Sequence, residues 1–265
     1  MLWRMMLMAI GYLLALSQEI PALSVETTQT TYRCDPTISL EIWEKLSPYF
    51  LPENHPVKQK LDLLFFSEDV LSSVYTVSQA GFKAPKPQPY SGIIATKHPD
   101  VKGYFFKFYT KEKNLRLWKR LLWRVMGAKK IANAIRQRQV EHLFKVPKKW
   151  VYPIPGPNGS KNFMIVAQDM RLVKKEKNIS FWKSSAMTKQ RLSALYDIAK
   201  ELGLNDSLTP RNTYLSKDYK LAFIDTEMFD SRNLNWKRSL SYLNPKMQRY
   251  WKKLTKLTKS QKKNS

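Results

Sequence analysis

The sequence predicts an α+β protein with two lobes: a small strand-rich lobe, then a mainly helical lobe, with a helical extension before both. Three observations lead to this prediction. Four short strand candidates occur in the first two thirds of the chain, a long amphipathic helix separates them into two pairs, and the periodicity of the last third is mainly helical. The 265 residues, 43% of them hydrophobic, are enough to form one sizeable core divided between two lobes.

The first 24 residues have the pattern of a secretory signal peptide. Arg4 supplies a positive charge, and the uncharged apolar run at 5–16 suits the central part of a signal but is too short to span a bilayer. An N-terminal anchor or a buried helix is the alternative interpretation. The sequence therefore predicts a secreted or exported protein, in a bacterial periplasm, at a cell surface or delivered to a host.

Residues 25–80 are predicted to form a polar leader and then the helical extension. Apolar residues recur at helical spacing at 40–50 and 57–77, and prolines divide these segments. Cys34, the one cysteine, lies in the leader. No disulfide can therefore form within the chain, and a disulfide-linked partner could be joined only through Cys34.

Residues 81–170 are predicted to form the strand-rich lobe. A proline-rich loop at 81–92 cannot be a regular element. Apolar residues at a spacing of three and four predict a long helix at 115–144, broken near Gly127. The strand candidates are 91–97, 103–109, 146–155 and 162–170.

Residues 171–258 are predicted to form the helical lobe. The periodicity indicates a helix at 188–202, with Gly203 as a suitable residue to end it. A hairpin is predicted at 213–224, followed by a mainly helical and acid-free segment. The basic tail at 259–265 is expected to fray.

Polar residues that are suited to phosphate and metal chemistry surround the predicted hairpin. Asn212 precedes its first strand and Asp225 follows its second, so the hairpin should place an amide oxygen beside a carboxylate. These are hard oxygen ligands of the kind that Mg²⁺ prefers. Lys107 alternates with aromatic residues in YFFKFY, as a lysine carried by a strand should.

These residues and the element order resemble the protein-kinase-like family, in the form of an aminoglycoside-phosphotransferase-like enzyme or a degenerate protein kinase. The resemblance extends from about Gly81 to the C-terminal helices. In that family a strand lysine contacts the nucleotide phosphates, and an asparagine and a later aspartate bind metal. The resemblance implies ATP and Mg²⁺ as cofactors, Lys107 as the nucleotide-binding residue, and Asn212 and Asp225 as metal ligands.

The catalytic part of the family pattern is incomplete in this chain. Five residues before Asn212, where the family has its catalytic base, the chain has Ser207. Serine cannot replace a carboxylate that accepts a hydroxyl proton at neutral pH. Asp206, one position earlier, is the candidate catalytic residue, and Glu227 is the other carboxylate expected nearby.

Two further parts of the family pattern are missing. No GxGxxG precedes the first strand pair, and the helix glutamate that should hold Lys107 is not evident, because Glu141 is the one acidic residue between 113 and 161. The sequence therefore predicts a pseudokinase, a binding or regulatory module for an unidentified protein partner, in preference to an active ATP-dependent phosphotransferase.

The net charge supports a second hypothesis. The chain has 46 Lys and Arg against 21 Asp and Glu, a formal charge of +25, which favours an anionic neighbour. A non-catalytic basic protein could bind membrane headgroups, nucleic acid or an acidic partner through WRVMGAKK, KVPKKW and YWKKLTKLTK. In that case Asn212 and Asp218 would serve turns, and Asp225 would cap a following helix.

Overall fold

The computed structural model describes residues 32–65, 68–83 and 92–261, so the predicted signal peptide at 1–24 lies outside the described residues. The fold is mixed α+β, with a four-stranded antiparallel sheet and a separate three-stranded sheet. Within the described ranges, none of the helices has the length and apolar character needed to cross a membrane.

The elements are numbered here in chain order. The helices are α1 (Leu40–Leu46), α2 (Lys58–Leu64), α3 (Val74–Gln79), α4 (Lys111–Asn114), α5 (Trp118–Gln137), α6 (Lys175–Lys183), α7 (Lys189–Leu202) and α8 (Pro245–Gln261). The strands are β1 (Ile94–Thr96), β2 (Tyr104–Phe108), β3 (Phe144–Lys145), β4 (Lys149–Ile154), β5 (Asn162–Gln168), β6 (Thr213–Leu215) and β7 (Leu221–Phe223).

The larger sheet has the order β1-β2-β5-β4, and all of its neighbouring strands are antiparallel. It contains the four strands predicted from the sequence. Apolar side chains lie on both faces of the sheet, which separates two hydrophobic clusters. The three N-terminal helices contribute to these clusters, so the predicted extension packs on the sheet and encloses it.

The leader is also part of the fold from Tyr32 onwards. Cys34 forms a parallel bridge with Ser160 in the turn between β4 and β5. The Ser160 amide donates to the Arg33 carbonyl at 2.7 Å, and the Asp35 amide donates to the Ser160 carbonyl at 3.2 Å. These bonds tie the chain before α1 to the edge of the larger sheet.

Helix α5 connects the sheet to the helical part of the protein. Its first half contributes Trp118 and Leu121 to a core on the sheet, and its second half contributes Ile131 and Ile135 to the core of the helical part. The predicted break near Gly127 is wrong, because the helix is continuous through that residue.

The predicted end of α5 is also wrong. The helix stops at Gln137 instead of continuing to residue 144. Gln139 has a positive φ of 55°, which turns the chain out of the helix. Phe144 then enters β3 and pairs with Leu221 of β7 in parallel.

The helical part contains the second sheet, of order β3-β7-β6, packed among α6, α7 and α8. The hairpin of β6 and β7 and the helix α7 are confirmed. Thr188 caps α7 by accepting a hydrogen bond from the Arg191 amide, and Gly203 ends it in the left-handed conformation. Helix α8 runs to Gln261, so the first three residues of the predicted frayed tail, 259–265, are helical and the last four lie outside the described residues.

Candidate functional site

The hairpin places Asn212 and Asp225 at the same end of two paired strands. Thr213 pairs with Phe223, and the Ile224 amide donates to the Asn212 carbonyl at 2.9 Å. Asn212 therefore lies opposite the residue that precedes Asp225. The juxtaposition expected from the sequence is present in the backbone.

Lys107 reaches this end of the hairpin from the other sheet. It lies on β2, between β1 and β5, and its Nζ donates to the Ile224 carbonyl at 3.4 Å. Lys107 and Asp225 are thus brought together, although they are far apart in the sequence and belong to different sheets.

A second lysine, which the sequence did not indicate, points to the same place. Lys149 begins β4 and is only 5% exposed. Its Nζ donates to the Ile224 carbonyl at 3.3 Å and to Thr226 Oγ1 at 2.7 Å. The sequence places Lys149 in the basic stretch KVPKKW, which is expected at the surface. That interpretation is wrong for this residue, because its ammonium group is buried inside the protein.

Asp225 lies among these cations, and the Glu227 backbone also stabilises its carboxylate. Its side chain is 37% exposed, but Oδ1 is buried and has no hydrogen-bond donor within the described part of the chain. The nearest cationic atom is Arg124 Nε at 3.9 Å. Burial opposes ionisation, but Lys107, Arg124 and Lys149 together hold the pKa of Asp225 below its ordinary value.

The same environment also lowers the pKa values of the two lysines, which disfavours their charged form. Burial lowers the pKa of Lys107. Burial and the neighbouring Lys107 charge lower the pKa of Lys149 further, well below its usual value. Asp225 acts against this effect at both lysines, since a nearby carboxylate favours the charged ammonium form.

Arg120 and Arg124 of α5 form a clamp on Glu227. Arg120 Nε and Arg124 Nη2 each form a short ion pair with its carboxylate, and Arg120 Nη2 donates to Oε2 at 3.1 Å. Arg124 is 3% exposed and Glu227 is 6% exposed. Glu227 is therefore fully engaged by two guanidinium groups and is not available to assist Asp225.

Thr226 fixes the segment between Asp225 and Glu227 against α5. Its Oγ1 donates to the Arg124 carbonyl at 2.5 Å and accepts the bond from Lys149. The Thr226 carbonyl oxygen lies directly against Gly127, where a β-carbon would overlap it. The absence of a side chain at Gly127 thus lets this segment lie close to α5, and the helix is continuous through Gly127.

Asp206, the candidate catalytic residue, is engaged elsewhere. Its Oδ1 accepts a bond from Arg238 Nη1 at 2.6 Å, and its backbone carbonyl accepts from Asn212 Nδ2 at 3.0 Å. Ser207 is buried, and its carbonyl accepts from Thr213 Oγ1 at 2.5 Å. These contacts hold the loop against the start of the hairpin. They direct the Asp206 carboxylate towards Arg238.

The hypothesis that the polar residues only serve local structure is correct for Asp218. Its carboxylate accepts from Ser216 Oγ at 2.5 Å within the hairpin turn and from Lys145 Nζ of β3 at 2.8 Å. Partial burial opposes ionisation there, but these two donors lower the pKa of Asp218 to about 2. The hypothesis is wrong for Asp225, because no helix begins after it before the 3₁₀ turn at Trp236–Tyr242.

The residues near Asp225 suit an anion better than an isolated metal ion. Two carboxylates, of Asp225 and Glu227, face four cationic side chains, and Glu227 is occupied by the arginine clamp. Where the chain is described, no group of three or more His, Cys, Asp or Glu side chains could hold a metal. Asp225 and the Asn212 amide oxygen could contribute ligands, but a divalent cation would have to bind beside positive charges.

The sequence does indicate that Arg124 is buried and paired. It lies three residues after Leu121 and four before Ala128, on the apolar face of α5, where a charged residue must be paired. The acidic partner of Arg124 is Glu227, which comes from the segment after the hairpin.

Comparison with known proteins does not identify a family. No family model matches the chain, and a search of curated proteins also gives no match. The chemistry of the site therefore follows from its own contacts: a strand lysine, a second buried lysine and an arginine clamp meet at the segment 224–227.

Proposed function

We propose that this chain is an exported, kinase-like binding module that accepts a nucleotide, or a related phosphate-bearing ligand, without transferring a phosphoryl group. The observation that carries the proposal is the meeting of Lys107 with the backbone beside Asp225. Two short motifs that resemble the same family, one on a strand and one after a hairpin, are neighbours in space. If the two motifs resembled the family only by chance, there would be no reason for them to lie together in the fold.

The distribution of the cores supports a two-lobed, kinase-like arrangement. Two hydrophobic clusters lie on the faces of the larger sheet, and a third is formed by the helices and the smaller sheet. Helix α5 contributes to cores in both parts. The residues 224–227 lie where side chains of the larger sheet, Lys107 and Lys149, contact the end of the hairpin.

Three features favour binding without catalysis. The base position holds the buried Ser207, and the neighbouring Asp206 carboxylate is paired with Arg238. The helix presents Arg124 instead of a glutamate, so Lys107 has no carboxylate partner on α5. Phosphoryl transfer depends mainly on precise positioning and electrostatics. The chain lacks two of the groups that supply them, the carboxylate at the base position and the glutamate on the helix.

Three residues of the site would contact the cofactors that the resemblance implies. A bound nucleotide supplies a polyphosphate whose charge Lys107 would neutralise. Asp225 and Asn212 are the residues that would contact a metal carried by the nucleotide. The regulatory role then depends on a ligand-dependent change in stability or in binding to a protein partner.

Thermal unfolding with and without MgATP tests the proposal. We expect ATP to raise the melting temperature of the wild type, and the increase to be largely lost in Lys107→Met. The matched control is Lys253→Met, which removes an exposed lysine from α8. Incubation with γ-labelled ATP should give no labelled product beyond the background of the Lys107→Met protein.

The second hypothesis, a basic protein that binds polyanions through its surface, makes a different prediction. It expects heparin or DNA to stabilise the Lys107→Met protein as much as the wild type, with a strong dependence on salt. Equal stabilisation of both proteins by ATP would favour it and contradict the kinase-like proposal. Turnover of labelled ATP by the wild type alone would instead show an active phosphotransferase.

A further inference from the structure

We propose that the centre at residues 224–227 binds the phosphate group directly, without a divalent cation, and that Lys149 supplies the positive charge a metal would otherwise provide. The inference rests on the proposed function, since it specifies how the same site holds its ligand. It departs from the metal-dependent binding that the resemblance implies.

The first reason is the convergence of two ammonium groups on one backbone oxygen. Lys107 Nζ and Lys149 Nζ lie 3.4 and 3.3 Å from the same Ile224 carbonyl. Among the described residues, both lysines donate only to uncharged oxygens, and no carboxylate lies within ion-pair distance of either. Two like charges held this close repel each other, and an anion between them would remove the repulsion.

The second reason is the third cation beside them. Arg124 is nearly fully buried, and its Nε has no hydrogen-bond acceptor within the described part of the chain. A buried donor that lacks an acceptor is unfavourable unless a ligand supplies one. Asp225 Oδ1, 3.9 Å from this atom, is also buried, although the Asp225 side chain as a whole is 37% exposed.

The third reason is the charge balance. In the part of the cluster that the structure describes, two carboxylates, of Asp225 and the clamped Glu227, face the four cations Lys107, Lys149, Arg120 and Arg124. A divalent metal would add to an existing excess of positive charge. A phosphate would balance it, and would favour the charged form of both lysines, as Asp225 already does.

Calorimetric titration of the whole protein with ATP and with inorganic tripolyphosphate tests the inference. Each titration is run in excess EDTA and again in excess Mg²⁺, at about 150 mM salt, where surface charges are screened over about 8 Å. We expect binding in EDTA with an affinity close to that in Mg²⁺. Lys149→Met should weaken binding in EDTA about tenfold or more, because a charge-assisted bond is lost.

Two further variants keep the test decisive. Lys253→Met controls for general loss of charge and should bind as the wild type does. Asp225→Asn should bind the anion at least as tightly as the wild type, whereas a metal-dependent site would lose binding. If Lys149→Met does not fold, the Asp225→Asn result and the wild-type EDTA titration decide the question.

The outcomes separate the two proposals. Binding that requires Mg²⁺, or is unchanged by Lys149→Met, would overturn the metal-free inference and leave the nucleotide-binding proposal intact. Absence of binding in both EDTA and Mg²⁺ would overturn both. Binding of tripolyphosphate but not ATP in EDTA would support the inference while restricting the ligand to phosphate groups.

Discussion

Replacement of Gly127 by alanine should destabilise this protein, although the same change in an ordinary helix would stabilise it. A β-carbon at residue 127 would overlap the Thr226 carbonyl oxygen, and it would lie 3.0 Å from the Thr226 carbonyl carbon and 3.1 Å from Phe229 Cδ1. The segment after β7 would have to move away from α5. That movement would break the bonds from Thr226 to the Arg124 carbonyl and from Lys149 to Thr226.

The size of the effect follows from three contributions. Overpacking costs about 1–3 kcal/mol, and each of the two lost hydrogen bonds costs about 1 kcal/mol. The higher helix propensity of alanine returns about 1 kcal/mol. We expect a net loss of about 2–4 kcal/mol in the free energy of unfolding, a decrease of about 4–16 °C in melting temperature for a chain of this size.

Urea unfolding followed by circular dichroism measures this change. Asn133→Ala, at an exposed position of the same helix, is the control, and its stability should stay within about 0.5 kcal/mol of the wild type. A Gly127→Ala protein as stable as the wild type, or more stable, would refute the close contact between α5 and the segment 224–227.

Three other predictions concern charge and burial. Glu227→Gln leaves the guanidinium groups of Arg120 and Arg124 without a carboxylate, so it should lower the free energy of unfolding by about 3–5 kcal/mol. A loss below about 1 kcal/mol in urea unfolding would contradict the buried ion pairs of Glu227 with the two arginines. The folded-state pKa of Asp218, about 2, is depressed, so its contribution to stability is present above about pH 4 and is lost as the pH falls towards 2. The wild type should therefore be more stable than Asp218→Asn near neutral pH, with the difference disappearing at about pH 2; a difference independent of pH would be inconsistent with this account. Burial and Asp35 raise the pKa of the Cys34 thiol, so a thiol reagent should react more slowly with the native protein than with the protein in urea. Equal reaction rates would contradict the packing of the leader around Cys34 against the rest of the fold.

The local parts of the fold could be predicted from the sequence because their signals are local. Strands β1, β2, β4 and β5 alternate or are continuously apolar, and the glycines and prolines between them mark the turns. The hairpin and the capped helix α7 have equally local signals. The meeting of Lys107 with the segment beside Asp225 was implied by the family resemblance, which encodes a long-range contact in two short motifs.

The remaining elements depend on contacts that the sequence does not display. Helix α6 was missed because few of its residues are apolar; it is held by Phe181 and Trp182, which enter the core, and by Asn178. The Asn178 side chain donates to the Pro210 carbonyl at 2.6 Å and accepts from the Leu215 amide at 2.8 Å. Strand β3 has two residues, and it exists only because β7 offers a parallel partner. No local pattern could indicate either pairing.

The cationic character of the site was hidden for the same reason. Lys149 belongs to a basic stretch, KVPKKW, that resembles a solvated surface, whereas the spacing of Arg124 on the apolar face of α5 indicates its burial but not its partner. Their burial depends on how β4 and α5 lie against the segment after β7. The Arg124–Glu227 pair joins residues far apart in the chain, so the sequence did not indicate the acidic partner of Arg124.

A crystal structure of the protein grown with ATP in the presence of EDTA tests the central claim most directly. We expect phosphate oxygens within about 3 Å of both Lys107 Nζ and Lys149 Nζ, without a metal ion between the phosphate and Asp225. A phosphate bound at the exposed surface, or one that contacts Asp225 only through a metal when Mg²⁺ is added, would contradict the claim.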